Sequence, residues 1–181
     1  MTRLLIAAIA LLSAIGFTPS VSKAADAQAA LPDAAVQAFE HFIRQTGPLC
    51  QSEASTLCVG QGWRFADSSG DGRVSLREMQ AVRAALVEWA KWRGDSLRAG
   101  ERLGIHGGVW LVDTVGLDKL FASFDADGDS ALSLAELLAD VSLDERPLGA
   151  VLLDPEAVDR QAISQRLGQF APMLEGLLRK Y

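Results

Sequence analysis

Histidine and cysteine are nearly missing from this chain, with two of each in 181 residues, and tyrosine occurs once. That scarcity removes whole classes of site. A structural zinc centre asks for four ligands drawn largely from Cys and His, and His41 and His106 give no sign of completing one with Cys50 and Cys58. The cysteines are also too far apart for a Cys-x-x-Cys redox motif, with seven residues between them. Basic charge is short as well: 17 Lys and Arg stand against 23 Asp and Glu, a formal net charge of -6. A chain of that sign does not suit nucleic acid or an anionic membrane surface as partner.

Apolar runs long enough to span a bilayer are absent. The stretch Leu4 to Ile15, broken only by Ser13, covers about 12 residues where a spanning helix needs about 20. Preceded by Arg3 and followed by small residues at Ser22 and Ala24, it reads as a secretory signal peptide over residues 1–24. A second cleavage site after Ala27 fits nearly as well. The mature chain, 25–181, is then one exported domain, periplasmic or secreted, with no membrane span. Removing residues 1–24 takes away Arg3 and Lys23 and no acid, so the charge moves from -6 to -8. An oxidising destination makes Cys50 and Cys58 a disulfide. So short a closed loop contributes about 2.5 kcal/mol in the chain-entropy view.

Alternation with period two is also missing over any useful length, so the expected class is all-α with at most a very small sheet. Asp33 caps a helix carrying Val36, Phe39, Phe42 and Ile43 on one face, and Gly47-Pro48 is expected to stop it. A long helix with Met79, Val82, Leu86 and Trp89 on one stripe follows, ended or bent at Gly94. Residues 94–112 carry five glycines and read as an irregular connector or broken helix. From Asp113 a helix runs through Leu117, Leu120, Phe121 and Phe124, and another is expected from Leu134 to Val141. Asp154-Pro155 looks like the capped start of a last helix with Val158, Ala162, Leu167, Phe170, Leu174, Leu177 and Leu178, kinked at Pro172.

What is present twice is a twelve-residue acidic segment. "DSSGDGRVSLRE" (67–78) and "DADGDSALSLAE" (125–136) align Asp67 with Asp125, Ser69 with Asp127, Asp71 with Asp129, Val74 with Leu132, Ser75 with Ser133 and Glu78 with Glu136. Both resemble the EF-hand calcium-binding loop, flanking helical patterns included. The resemblance implies an EF-hand pair: two helix-loop-helix units joined by a short bridge at the apolar eighth place, Val74 and Leu132, with N- and C-terminal helices added. Trp63, Phe121 and Phe124 fall where such an entering helix meets the core.

The chemistry of the spacing is plain. Ca²⁺ takes six to eight oxygens at about 2.4 Å. The resemblance assigns Asp67, Ser69 and Asp71, or Asp125, Asp127 and Asp129, as side-chain ligands, with the carbonyls of Arg73 and Ala131 at the seventh place. Ser75 and Ser133 act through water, and Glu78 and Glu136 grip with both oxygens. Each loop departs from the pattern once. Ser69 puts a neutral ligand in the first loop, where Arg73 and Arg77 bring the formal charge to -1; the second carries -4, but has Ser130 where Gly is wanted for positive φ. A Ser held there costs about 1 kcal/mol, and the second loop is expected to bind at least as tightly. The first places of the loops lie 58 residues apart, about 20 more than a compact pair needs.

Two bound Ca²⁺ ions leave three roles open. A calcium-stabilised structural or adaptor protein with a protein partner leads. A sensor that exposes a groove for a target helix is second, though such grooves lean on Met and residues 25–181 hold only Met79 and Met173. Trp89 and Trp92 are candidate groove residues, but two tryptophans at helical spacing are more often core. A calcium-stabilised enzyme is third: with no Ser-His-acid set, metal-hydrolase motif or phosphate loop, the chain is not read as an enzyme.

Overall fold

The computed structural model describes residues 33–168. The expected signal peptide and the C-terminal positions Phe170, Pro172, Leu174, Leu177 and Leu178 lie outside the described residues. Among the described residues the protein is helical, with one two-stranded sheet of two residues per strand. The all-α expectation holds at that level. No described helix is long and apolar enough to cross a membrane.

Helix α1 (Ala34–Ser52) begins under the Asp33 carboxylate, which accepts from the Val36 amide at 2.9 Å. It does not stop at Gly47-Pro48 but runs through both. Pro48 lacks the N–H that would bond the Arg44 carbonyl, a real loss. The compensation lies along one face, where Val36, Phe39, Ile43, Thr46 and Cys50 recur at three and four and are all buried. Continuing the helix carries Cys50 to Cys58 of α2 (Ser55–Ala66), and the two form the expected disulfide with Cα atoms 4.8 Å apart. The start of α2 is held from far along the chain: the buried Ser55 hydroxyl donates to the Asp144 carbonyl at 2.7 Å and accepts from the Asp144 amide at 3.0 Å.

Strand β1 (Val74–Ser75) leads into α3 (Leu76–Arg93), which ends at Gly94 with φ 42°. After a 3₁₀ turn at Gly94–Ser96 comes α4 (Ala99–Val115), a continuous helix where an irregular connector was expected. Each interior glycine of α4 costs about 1 kcal/mol relative to Ala. Burial of Ile105, Leu111 and Val115 on one face offsets it. This helix also explains the long separation of the acidic segments. Its Ile105 joins the cluster of Phe39, Phe42, Ala85 and Trp89, whereas its Leu111 and Val115 join that of Leu120, Val151 and Val158.

A single helix from Asp113 to Phe124 does not form, because Gly116 breaks it at φ 93° and α5 (Leu117–Phe124) starts afresh. A φ of 93° favours glycine at this position, and a Cβ there would lie 2.7 Å from the exposed Asp118 carboxylate, which would have to turn aside. Strand β2 (Ala131–Leu132) pairs antiparallel with β1, Val74 opposite Leu132 and Ser75 opposite Ala131. Helix α6 is four residues long (Leu134–Leu137), not the expected eight. Beyond it the chain turns so that Val141 bridges Val158, and Asp140, 8% exposed, pairs with Arg166 at 2.5 Å.

Helix α7 (Leu148–Leu153) had no counterpart in the sequence pattern; its Leu148 and Leu152 close over Cys50, Cys58 and Val59. Asp154-Pro155 does not open a helix. The Asp154 carboxylate caps only the turn at Glu156, Val158 is used in the bridge, and α8 (Arg160–Leu167) begins under Asp159, which accepts from the Ala162 amide at 2.9 Å.

Candidate metal centre

The two acidic segments fold on the same plan. In the first, Asp67 accepts from the amides of Gly70 at 2.8 Å and Asp71 at 3.1 Å through Oδ1, and from Gly72 at 2.8 Å through Oδ2. In the second, Asp125 accepts from the amides of Asp129 at 3.1 Å and Ser130 at 3.0 Å. Asp71 accepts from the Arg73 amide and Asp129 from that of Ala131, both at 2.9 Å. These bonds demand a left-handed residue at the sixth place. Gly72 takes it at φ 84°, and Ser130 takes it at φ 68°, the one non-glycine residue with positive φ among the described residues.

The exit from each loop is a capping box. Ser75 opens α3: its amide and hydroxyl both donate to Glu78 Oε2 at 2.8 Å, and its Oγ accepts from the Glu78 amide at 3.3 Å. Ser133 and Glu136 repeat this at α6, with donor distances of 2.8 Å and an accepting distance of 3.2 Å. The second oxygen of each glutamate points back across its loop, Glu78 Oε1 to the Ser69 amide at 2.9 Å and Glu136 Oε1 to the Ala126 amide at 2.8 Å. Below lies an apolar floor of Trp63, Val74, Phe121, Phe124 and Leu132, with the Trp63 indole donating to the Gly72 carbonyl at 3.3 Å.

The donors set the electrostatics. The Ser75 amide, aided by the Ser69 amide and the hydroxyls of Ser75 and Ser68, holds the Glu78 carboxyl at about 2 against a smaller opposing effect of burial. The Ser133 amide and hydroxyl, then the Ala126 amide, hold Glu136 at about 2 likewise. Both lie below the ordinary 4.5. A carboxyl depressed on folding stabilises the fold fully above its unfolded value, and the contribution is lost as pH falls toward the folded one. In metal-stripped protein, the stability difference between the parent and the Glu78→Gln, Glu136→Gln double variant is therefore constant above about pH 5 and shrinks between about pH 4.5 and 2. Urea midpoints across that range measure it; a difference that ignores pH would mean these hydrogen bonds do not persist in solution.

In the second loop Asp125, Asp127 and Glu136 offer oxygen atoms that all lie within 4.8 Å of one another, the one such carboxylate group among the described residues. Asp129 is outside it. In the first loop Asp67, Asp71 and Glu78 form no equivalent group, and the Ser69 hydroxyl is turned to Asp67 Oδ1 at 3.2 Å. An all-oxygen donor set suits a hard cation such as Ca²⁺ or Mg²⁺ over the nitrogen- and sulfur-seeking metals. His41 and His106 are exposed on α1 and α4 and do not belong to this group.

Sequence reasoning missed what two arginine side chains do, although it names Arg73 for its carbonyl and its charge. Arg73 reaches from the first loop to the second, forming ion pairs with Asp129 and, at 3.9 Å, with Asp127. Arg166 braces the helix entering the second loop, donating to the Ser123 carbonyl at 2.7 Å and lying over the Phe124 ring at 5.1 Å. No local pattern announces either, because both contacts join segments far apart in the chain. Compared with known proteins, the chain matches no family model, no curated protein and no solved structure.

Proposed function

We propose that this chain is a calcium-binding protein of the EF-hand kind, its two loops packed as a pair. The convergence of Asp125, Asp127 and Glu136 carries the reading. Three carboxylates held that close repel one another, and a hard divalent cation is the group that relieves the repulsion. The matching bond pattern of the first loop supports a second, weaker site built on Asp67, Ser69, Asp71 and Glu78, and the pairing of Val74 with Leu132 supports two loops acting together.

The role that fits best is structural or adaptor: an exported protein whose fold Ca²⁺ completes, presenting an ordered surface to a protein partner. The disulfide and the signal-peptide pattern favour it, and dissociation constants of roughly 10⁻⁴ to 10⁻³ M suffice where Ca²⁺ is abundant. One observation favours the sensor alternative. An apolar cavity of about 130 Å³, lined by Trp63, Met79, Trp89, Phe121, Phe124 and Leu132 among others, lies beneath the loops.

Calorimetric titration of CaCl₂ into the oxidised, metal-stripped protein tests the reading. Two sites are expected, the tighter one lost in Glu136→Gln, together with a rise in melting temperature that grows with calcium concentration. Heat accompanied by strong apolar-dye binding would transfer the case to the sensor. No heat and an unchanged melting temperature would remove calcium binding altogether.

A further inference from the structure

We infer that Arg73 is a built-in counter-ion for the second loop, a tethered competitor that a divalent cation must displace before the loop can use all its acids. The inference rests on the calcium reading and concerns the regulation of that same site.

The second loop carries four acids and no base of its own from Asp125 to Glu136. Its positive neighbour comes from the other loop. Arg73 has its amide bonded to Asp71 Oδ1 at 2.9 Å, and the next residue, Val74, is locked opposite Leu132 by the strand pairing. The base of the arginine side chain is thus fixed beside the second loop by backbone bonds. Its guanidinium pairs with Asp129 and lies 3.9 Å from Asp127.

Three of the four acids converge within 4.8 Å, and the fourth, Asp129, is paired with the guanidinium. Asp127 belongs to both arrangements, a member of the converged group and a partner of Arg73. A cation gathering the complete set therefore draws Asp129 off the arginine and meets its positive charge in doing so. The side chains of Arg73, Asp127 and Asp129 are 40%, 55% and 38% exposed. Ion pairs so open to solvent are weak and salt-screened, so the arginine tunes affinity and does not block it.

The test titrates CaCl₂ into the oxidised, metal-stripped chain in a Glu78→Gln background, which leaves the second loop as the main site. Arg73→Gln is expected to tighten binding about three- to fivefold at low salt. The gap should close to within about twofold in roughly 0.5 M KCl, where the Debye length falls to about 4 Å, and Arg73→Lys should lie near the parent. An arginine that merely supported loop structure would give the opposite sign, weaker binding on removal. Unchanged or weaker binding in Arg73→Gln, with calcium heat still present, overturns the inference and leaves the calcium site standing. Absence of calcium heat in parent and variants alike overturns the calcium reading, and this inference with it.

Discussion

Glu136→Gln is expected to lower calcium affinity at the second loop on the order of a hundredfold, since ligand charge count is the main control on such sites. Ser130→Gly should alter it by less than about threefold. Glu136 bonds donors at both oxygens, the Ser133 amide and hydroxyl on one and the Ala126 amide on the other. A glutamine removes the charge and turns an NH₂ group toward a donor, which can satisfy neither a cation nor the loop. The variant also weakens the capping box of α6, a helix of four residues, so its metal-free melting temperature should fall. Ser130→Gly only relieves a serine held at φ 68° while keeping the amide bond to Asp125 at 3.0 Å. Calorimetry on both variants decides the matter. Comparable affinities would refute the assignment of Glu136 as a ligand.

Trp89→Ala is the largest stability change we expect, about 3 to 5 kcal/mol. Trp89 is 1% exposed, packs edge-on against Phe39 with ring centroids 5.6 Å apart, and donates its indole N–H to Glu40 Oε2 at 2.6 Å. Loss of the ring opens the cluster of Val36, Phe39, Ile43, Leu97 and Ile105, which joins α1, α3 and α4. Against a total stability of about 5 to 15 kcal/mol, such a change leaves the fold marginal. Trp89→Phe keeps most of the packing and should lose about 1 to 2 kcal/mol, because Glu40 retains Arg44 and Arg93, each at 3.8 Å. Urea denaturation of the oxidised protein measures both. A loss below about 1 kcal/mol for Trp89→Ala would mean that this cluster is not the main support of the helices. Trp92, three residues on, is 41% exposed and belongs to no such cluster, so the shared spacing of the two tryptophans did not mean a shared environment.

Helix faces were legible where burial and periodicity agree. The stripes through α1 and α3, the Asp33 cap and the helix stop at Gly94 follow from residues within a turn or two of one another. The acidic loops were legible for the same reason: each side-chain hydrogen bond within them spans ten residues or fewer, and so does the left-handed turn at Ser130. Where the reading failed, the deciding partner was distant. Pro48 stays helical because Cys50 must reach Cys58 and the buried face continues to it. The glycines of α4 stay helical because Ile105 and Leu111 have two separate cores to fill. Helix α6 stops early because Val141 finds Val158, and Asp140 finds Arg166 at 2.5 Å.

By itself the sequence determined the all-α class, the faces of α1 and α3, the disulfide partners and the two acidic segments, since all of these depend on spacing along the chain. Tertiary structure alone decided that three acids of the second loop converge while the fourth is held by Arg73 from the other loop. Short-range bonds are written in local order, whereas a charge that arrives from another loop depends on how the backbone between them is folded. The pairing of Val74 with Leu132, expected from the eighth place of each loop, brings the two loops together, but the reach of the Arg73 side chain across that pairing to Asp129 is written in no local pattern.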